Sequence, residues 1–106
     1  LGGGILTGKM KKPDKGSNDL RGSFYNFYEE PMWSKCQKLL SILKSIGDER
    51  GVSVAEVSIN WVISQPGVTC ALTGATTPEK AIQNAKAADF ELSAEELYII
   101  EDNYIR

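Results

Sequence analysis

The sequence predicts an α/β fold that is mostly helical, with about one short strand. Three observations lead there. Four stretches between Pro31 and Asp102 show helical apolar spacing or helix-start chemistry. One stretch, with Val68, Thr69, Ala71 and Leu72, suits a short strand buried on both faces. The third observation is a mismatch between these pieces. A lone strand cannot satisfy its own ladder of N–H and C=O groups, and the helix from Val54 to about Ser64 is apolar on most of its surface, so it expects neighbours on more than one side. Strand, crossover helix and parallel strand is the unit that uses such pieces. The chain therefore reads as cut from a larger α/β protein, with a missing strand expected just before Leu1.

The opening run Leu1-Gly2-Gly3-Gly4-Ile5-Leu6-Thr7-Gly8-Lys9 is too glycine-rich for a helix or strand interior. It reads equally as a loop that wraps a phosphate with its amides, Lys9 adding a charge, or as a flexible linker. It lacks the GK[ST] of a P-loop. Residues 10–22 are polar and rich in breakers, so they read as an exposed loop in which Arg21 is the residue to watch. Phe24, Tyr25, Phe27 and Tyr28 form a dense aromatic group, for which ordinary packing is favoured over contact with a ligand.

Pro31 opens a helix expected to run to about Arg50. Trp33, Cys36, Leu39, Leu40, Leu43 and Ile46 share one face of it, and Gly51 stops it. Ser53-Val54-Ala55-Glu56 is a capping box for the next helix, which Gln65-Pro66-Gly67 ends. The strand candidate follows and breaks at Gly74. Thr77 and Pro78 are an N-cap and a first helical residue, opening a helix to about Ala88. A strand that ends in glycine and opens into a helix leaves N–H groups aimed at one spot, a place for an anion and most often a phosphate. Lys80, Gln83 and Asn84 share one face there. Their plainer reading is a hydrated surface. Ser93-Ala94-Glu95-Glu96 is a second capping box, opening the last helix to about Asp102.

Composition narrows the classes. The 106 residues suffice for one small domain. A net charge of −2 argues against a general nucleic-acid footprint. No apolar run is long enough to cross a membrane. Leu1 is not a natural start residue, so an N-terminus upstream is expected. Cys36 and Cys70 lack metal-type spacing and read as buried free thiols of a reducing, cytoplasmic compartment. The chain has no histidine, hence neither the commonest general base nor the commonest metal ligand.

Three segments together resemble the aldo-keto reductases. Leu1–Lys9 resembles that family's "P-L-x-x-G-x-L-[ST]-G-K" loop. The run from Gly51 to Val68 resembles "GxSxAQVALRWLLSQPGV". Thr73–Asn84 resembles the "xGaxxxEQlxEN" cofactor segment, and Phe90–Ser93 the lead into the last helix. The resemblance covers essentially the whole chain. It implies the C-terminal third of a single (β/α)8 barrel domain, with residues 1–30 as cofactor loop and connector and 31–106 as helices plus the last barrel strand.

It further implies a cofactor, NADP(H), and a small carbonyl substrate held by the missing part of the barrel. Leu1, Gly4, Thr7 and Lys9 would hold the pyrophosphate and Arg21 would help clamp it. Gly74 and Thr76 would meet the adenosine phosphate end. Lys80 would lie beside the adenine and ribose, Gln83 stands for the family's common glutamate among the cofactor residues, and Asn84 would bond the adenine edge. Lys80 attracts a 2′-phosphate as a point charge but lacks the planar fork of arginine. No residue matches the family's catalytic aspartate, tyrosine, lysine and histidine, so the chain alone is expected to be inactive. Two other readings stand beside this one. One is a non-catalytic regulatory subunit, like the potassium-channel β subunits. The other is a helical interaction module. Open apolar faces also predict self-association of the chain alone.

Overall fold

The computed structural model describes residues 1, 4–11 and 26–103. Among them are four α-helices: α1 (Met32–Arg50), α2 (Val54–Ile63), α3 (Pro78–Lys86) and α4 (Ala94–Asp102). Two 3-10 turns, Ile5–Thr7 and Asn26–Tyr28, precede them. α1 is the spine, packing against α2, α4 and the Asn26–Tyr28 turn. α2 packs in turn against α3 and the Ile5–Thr7 turn. The expectation of neighbours on several sides of α2 is met.

Local chemistry explains the boundaries. Gly51 takes the left-handed conformation (φ 69°) after α1, and its N–H donates to the Gly47 carbonyl. Ser53 caps α2 by accepting from the Glu56 N–H at 3.2 Å. The Glu56 carboxylate accepts the Ser53 hydroxyl at 3.1 Å. Thr77 caps α3 through the Lys80 N–H, with Pro78 in the first turn. Ser93 and Glu96 form a full reciprocal box at α4: the Glu96 N–H donates to Ser93 Oγ at 3.1 Å and the Ser93 N–H to Glu96 Oε1 at 2.8 Å.

The core lies between α1, α2 and α4. It holds Ile5, Tyr28, Cys36, Leu39, Leu40, Leu43, Ile46, Val57, Leu92 and Ile100. Five of the six residues read as the apolar face of α1 are buried there; Trp33, half-buried, lies with its ring 6.0 Å from that of Tyr28. Taking one leucine such as Leu43 out of water stabilises the fold by about 1.5–3 kcal/mol. The described part of the aromatic group, Phe27 and Tyr28, packs onto this core, as the packing reading had it; Phe24 and Tyr25 lie outside the described residues. Arg50 ends α1 by pairing through two nitrogens with the Glu96 carboxylate, and its guanidinium lies 5.6 Å from the centre of the Phe90 ring.

Two expectations are corrected. No strand forms among the described residues: 68–75 has no ladder partner, because nothing described supplies a second strand. Instead of being buried on both faces, the segment leaves Val68 exposed and Leu72 97 % exposed. Of the two free thiols, Cys36 is buried and Cys70 is exposed, since Cys70 sits on that uncovered segment.

Candidate functional site

The glycine-rich loop has a definite shape where it is described. Gly4 (φ 95°) and Gly8 (φ 72°) bracket the Ile5–Thr7 turn in left-handed conformations that side chains resist. The Thr7 hydroxyl donates to the Gly4 carbonyl at 2.7 Å and accepts from the Lys9 N–H at 3.3 Å. Ile5, 2 % exposed, anchors the turn in the core. On its other side the Ser58 hydroxyl of α2 lies 3.4 Å from the Leu6 carbonyl. The backbone N–H groups of Gly4, Leu6, Thr7 and Gly8 all donate within the loop. A wrapping of phosphate by these amides is therefore not what this conformation offers. The turn consumes them, and the Lys9 ammonium is the loop's remaining charge.

The second wall is the extended segment 69–75 and the first turns of α3. Asn84 Nδ2 donates to the Gly74 carbonyl at 3.2 Å, pinning the segment to the helix. Lys80 Nζ lies 3.3 Å from Thr76 Oγ1, and Gln83 Nε2 donates to Ser53 Oγ at 3.0 Å. Gly74 is not in a left-handed conformation, and a Cβ there would meet nothing within 4 Å. No turn constraint demands glycine at that position. What the structure shows there is open space.

Between the two walls lies a cavity of about 610 Å³. Leu1, Gly4, Leu6 and Thr7 line one side; Cys70, Ala71, Leu72, Thr73, Gly74 and Asn84 line the other; Ser58, Ile59 and Val62 of α2 form the floor. A second hollow, of about 460 Å³, lies between α2, the same segment and α3, and shares Ile59, Cys70, Ala71, Thr73 and Asn84. Of the ten residues singled out in the sequence, Leu1, Gly4, Thr7, Gly74 and Asn84 line the first cavity. Thr76, Lys80 and Gln83 lie beyond its lining, Lys9 is exposed outside it, and Arg21 lies outside the described residues. Among the described residues no group of acidic, cysteine or histidine side chains is arranged to hold a metal ion, and no helix is long and apolar enough to cross a membrane.

Sequence reasoning missed the floor. Ser58 is buried and its hydroxyl donates to the Val54 carbonyl at 2.9 Å, so a serine on an apolar helix sits at the base of the cavity. Asn60 was missed as well. It is 2 % exposed, and its Nδ2 donates to the carbonyls of Ala87 (2.8 Å) and Phe90 (2.6 Å). The available signal was a carboxamide among the apolar residues Val57, Ile59, Trp61, Val62 and Ile63 of the helix.

A "probable voltage-gated potassium channel subunit beta" of Arabidopsis thaliana is 34 % identical over 91 residues, covering 84 % of this chain and 28 % of that protein. "Protein tas" of Escherichia coli is 33 % identical over 104 residues, covering 95 % of this chain and 29 % of its own length. The "aldo-keto reductase str7" of Strobilurus tenacellus is 29 % identical over 98 residues, 92 % of this chain and 29 % of the relative. The chain thus spans less than a third of the length of these curated relatives. The family model described as "Aldo/keto reductase family" matches residues 1–105, and the chain belongs to that family.

Proposed function

We propose that this chain forms the cofactor-side wall of an NADP-dependent oxidoreductase that interconverts aldehydes or ketones and alcohols. The observation that carries the reading is the common cavity of about 610 Å³ between the Gly4–Gly8 turn and the Gly74–Asn84 segment. Two stretches far apart in sequence, each read separately as facing a dinucleotide, meet across one hollow.

The fit rests on the chemistry of the walls. The floor is apolar apart from Ser58, which suits a flat base or ribose edge. Lys9 and Lys80 flank the cavity in sequence and supply positive charge for phosphates. Lys80, bonded to Thr76, would meet a 2′-phosphate as a point charge. The bound dinucleotide would supply hydride to the carbonyl carbon. This chain's residues would bind and orient its adenosine and diphosphate parts. The proton for the carbonyl oxygen would come from residues of the parent protein outside this chain, which has no histidine. We place the chain in the C-terminal third of the family's (β/α)8 barrel, where strands from the rest of the barrel would cover 68–72.

The experiment is a fluorescence titration of the full-length protein with NADPH and NADH. Lys80→Ala is expected to raise the Kd for NADPH by about 5–10-fold and leave NADH within twofold, since the loss of a phosphate contact costs on the order of 1 kcal/mol. Absence of NADPH binding by the unsubstituted protein refutes the reading. A second reading is favoured by the similarity to the potassium channel subunit beta: a regulatory subunit that binds the cofactor without turnover. Steady consumption of NADPH with an aldehyde decides for the enzyme.

A further inference from the structure

Helix α3 carries Lys80, Gln83 and Asn84, yet none of its residues is buried. A nine-residue helix is too short to hold itself in water, and one with no buried side chain draws little from the hydrophobic effect. Carboxamides tie it down. Gln83 reaches Ser53 at the start of α2, and Asn84 reaches Gly74. The third tie comes from α2 itself. Asn60 gives its Nδ2 to two carbonyls just past α3, that of its C-cap Ala87 and that of Phe90 in the segment that follows.

The orientation of the Asn60 amide is fixed by its partners. Carbonyl oxygens only accept, so the nitrogen must face them. Its Oδ1 lies 3.3 Å from the Ser64 hydroxyl. Ala87 is the C-cap of α3 and is fully buried, and its N–H donates to the Asn84 carbonyl at 3.2 Å. One residue, Ala87, therefore connects the Asn60 amide, through its carbonyl, to the residue whose side chain lines the cavity, through its N–H. Asn60 does not line the cavity itself.

We propose that Asn60 is a positioning residue for the adenosine end of the dinucleotide site, setting where α3 presents Asn84 and Lys80 through its hold on the Ala87 and Phe90 carbonyls. The proposal rests on the cofactor reading above. Without the Asn60 amide, the buried Ala87 carbonyl and the part-buried Phe90 carbonyl lose their donor and the end of α3 shifts to find water. Recognition of the adenosine part suffers while the rest of the cofactor contacts are kept.

The test uses the full-length protein and two halves of the cofactor, adenosine 2′,5′-bisphosphate and nicotinamide mononucleotide, with Kd values obtained by competition against NADPH. Asn60→Ala is expected to weaken the bisphosphate by about tenfold, the size of losing the hydrogen bonds of one buried amide, and to leave the mononucleotide within twofold. General damage to the fold would weaken both alike. Ser64→Ala, at an exposed position, keeps Asn60 but removes the hydroxyl that bonds its main-chain carbonyl at 2.7 Å and lies 3.3 Å from its Oδ1, and reads the same effect at about two- to threefold if Asn60→Ala does not fold. Unchanged bisphosphate binding in a folded Asn60→Ala protein, or in Ser64→Ala where Asn60→Ala does not fold, overturns the proposal alone, as does equal weakening of both halves. Failure of the unsubstituted protein to bind NADPH overturns the cofactor reading and this inference with it.

Discussion

Replacing Glu96 by glutamine separates two interactions that meet on one carboxylate. Glutamine keeps an oxygen for the Ser93 N–H and so keeps the capping box, but it removes the charge that faces Arg50. Hydrogen bonding from Arg50 holds the Glu96 carboxyl down, from 4.5 to about 2, with the two Ser93 bonds adding to it and burial opposing. A shift of that size corresponds to about 3 kcal/mol if none of it is screened. The Glu96 and Arg50 side chains keep 15 % and 28 % of their surface in water, so screening reduces this and we expect Glu96→Gln to cost about 1–2 kcal/mol at pH 7. The sign follows from the depressed value. Glu96 contributes its stability in full above 4.5, where the unfolded carboxyl is ionised. The contribution fades as pH falls from 4.5 towards about 2, because the unfolded state takes up the proton first. The assay is urea denaturation of the original protein and Glu96→Gln across pH 7 to 2.5. Other carboxylates cancel in the difference between the two proteins. The gap should shrink below pH 4.5 and narrow at high salt. A gap that stays constant across that range, or widens in acid, refutes the reasoning.

Three further outcomes are expected. Ser93→Ala, which removes the other half of the same box, should cost about 1 kcal/mol and show little dependence on pH, read by the same denaturation. Gly51→Ala should cost about 1 kcal/mol, because alanine must adopt φ 69° to close α1, and the loss should appear as a lower denaturation midpoint. A thiol reagent at neutral pH should modify Cys70, which is exposed, well before Cys36, whose burial raises its pKa. Mass mapping of the two cysteine-containing peptides against time checks the order.

The helices were legible because their signals are local. Ser53, Thr77 and Ser93 each accept from an N–H three residues on, and Gly51 closes α1 on Gly47, four residues back. Those distances fall within one turn of chain, so the residue types alone reveal them. The strand reading failed for the opposite reason. Val68 to Leu72 has the composition of a strand, but a ladder requires a partner whose presence no residue in the segment can report. The glycine-rich run was legible as neither helix nor strand interior, but not as to where its N–H groups point, which depends on the hydrogen bonds formed inside it. Asn60 bonds partners 27 and 30 residues away, a distance at which spacing carries no information. The pairing of Arg50 with Glu96, 46 residues on, is hidden in the same way.

The length and connectivity of α1 bear on how the molecule assembles. At 1.5 Å per residue its nineteen residues extend about 28 Å, comparable to the shortest dimension of the molecule, 27 Å. Only Gly51, Val52 and Ser53 separate it from α2, so this helical hairpin closes a very small loop and is the contact reached soonest in a kinetic search. α4 joins that hairpin only after the chain has looped back from residue 64, and α3 buries no side chain with which to hasten its own docking. Substitutions in the α1–α2 seam should therefore slow refolding, whereas those at α3 should chiefly speed its release.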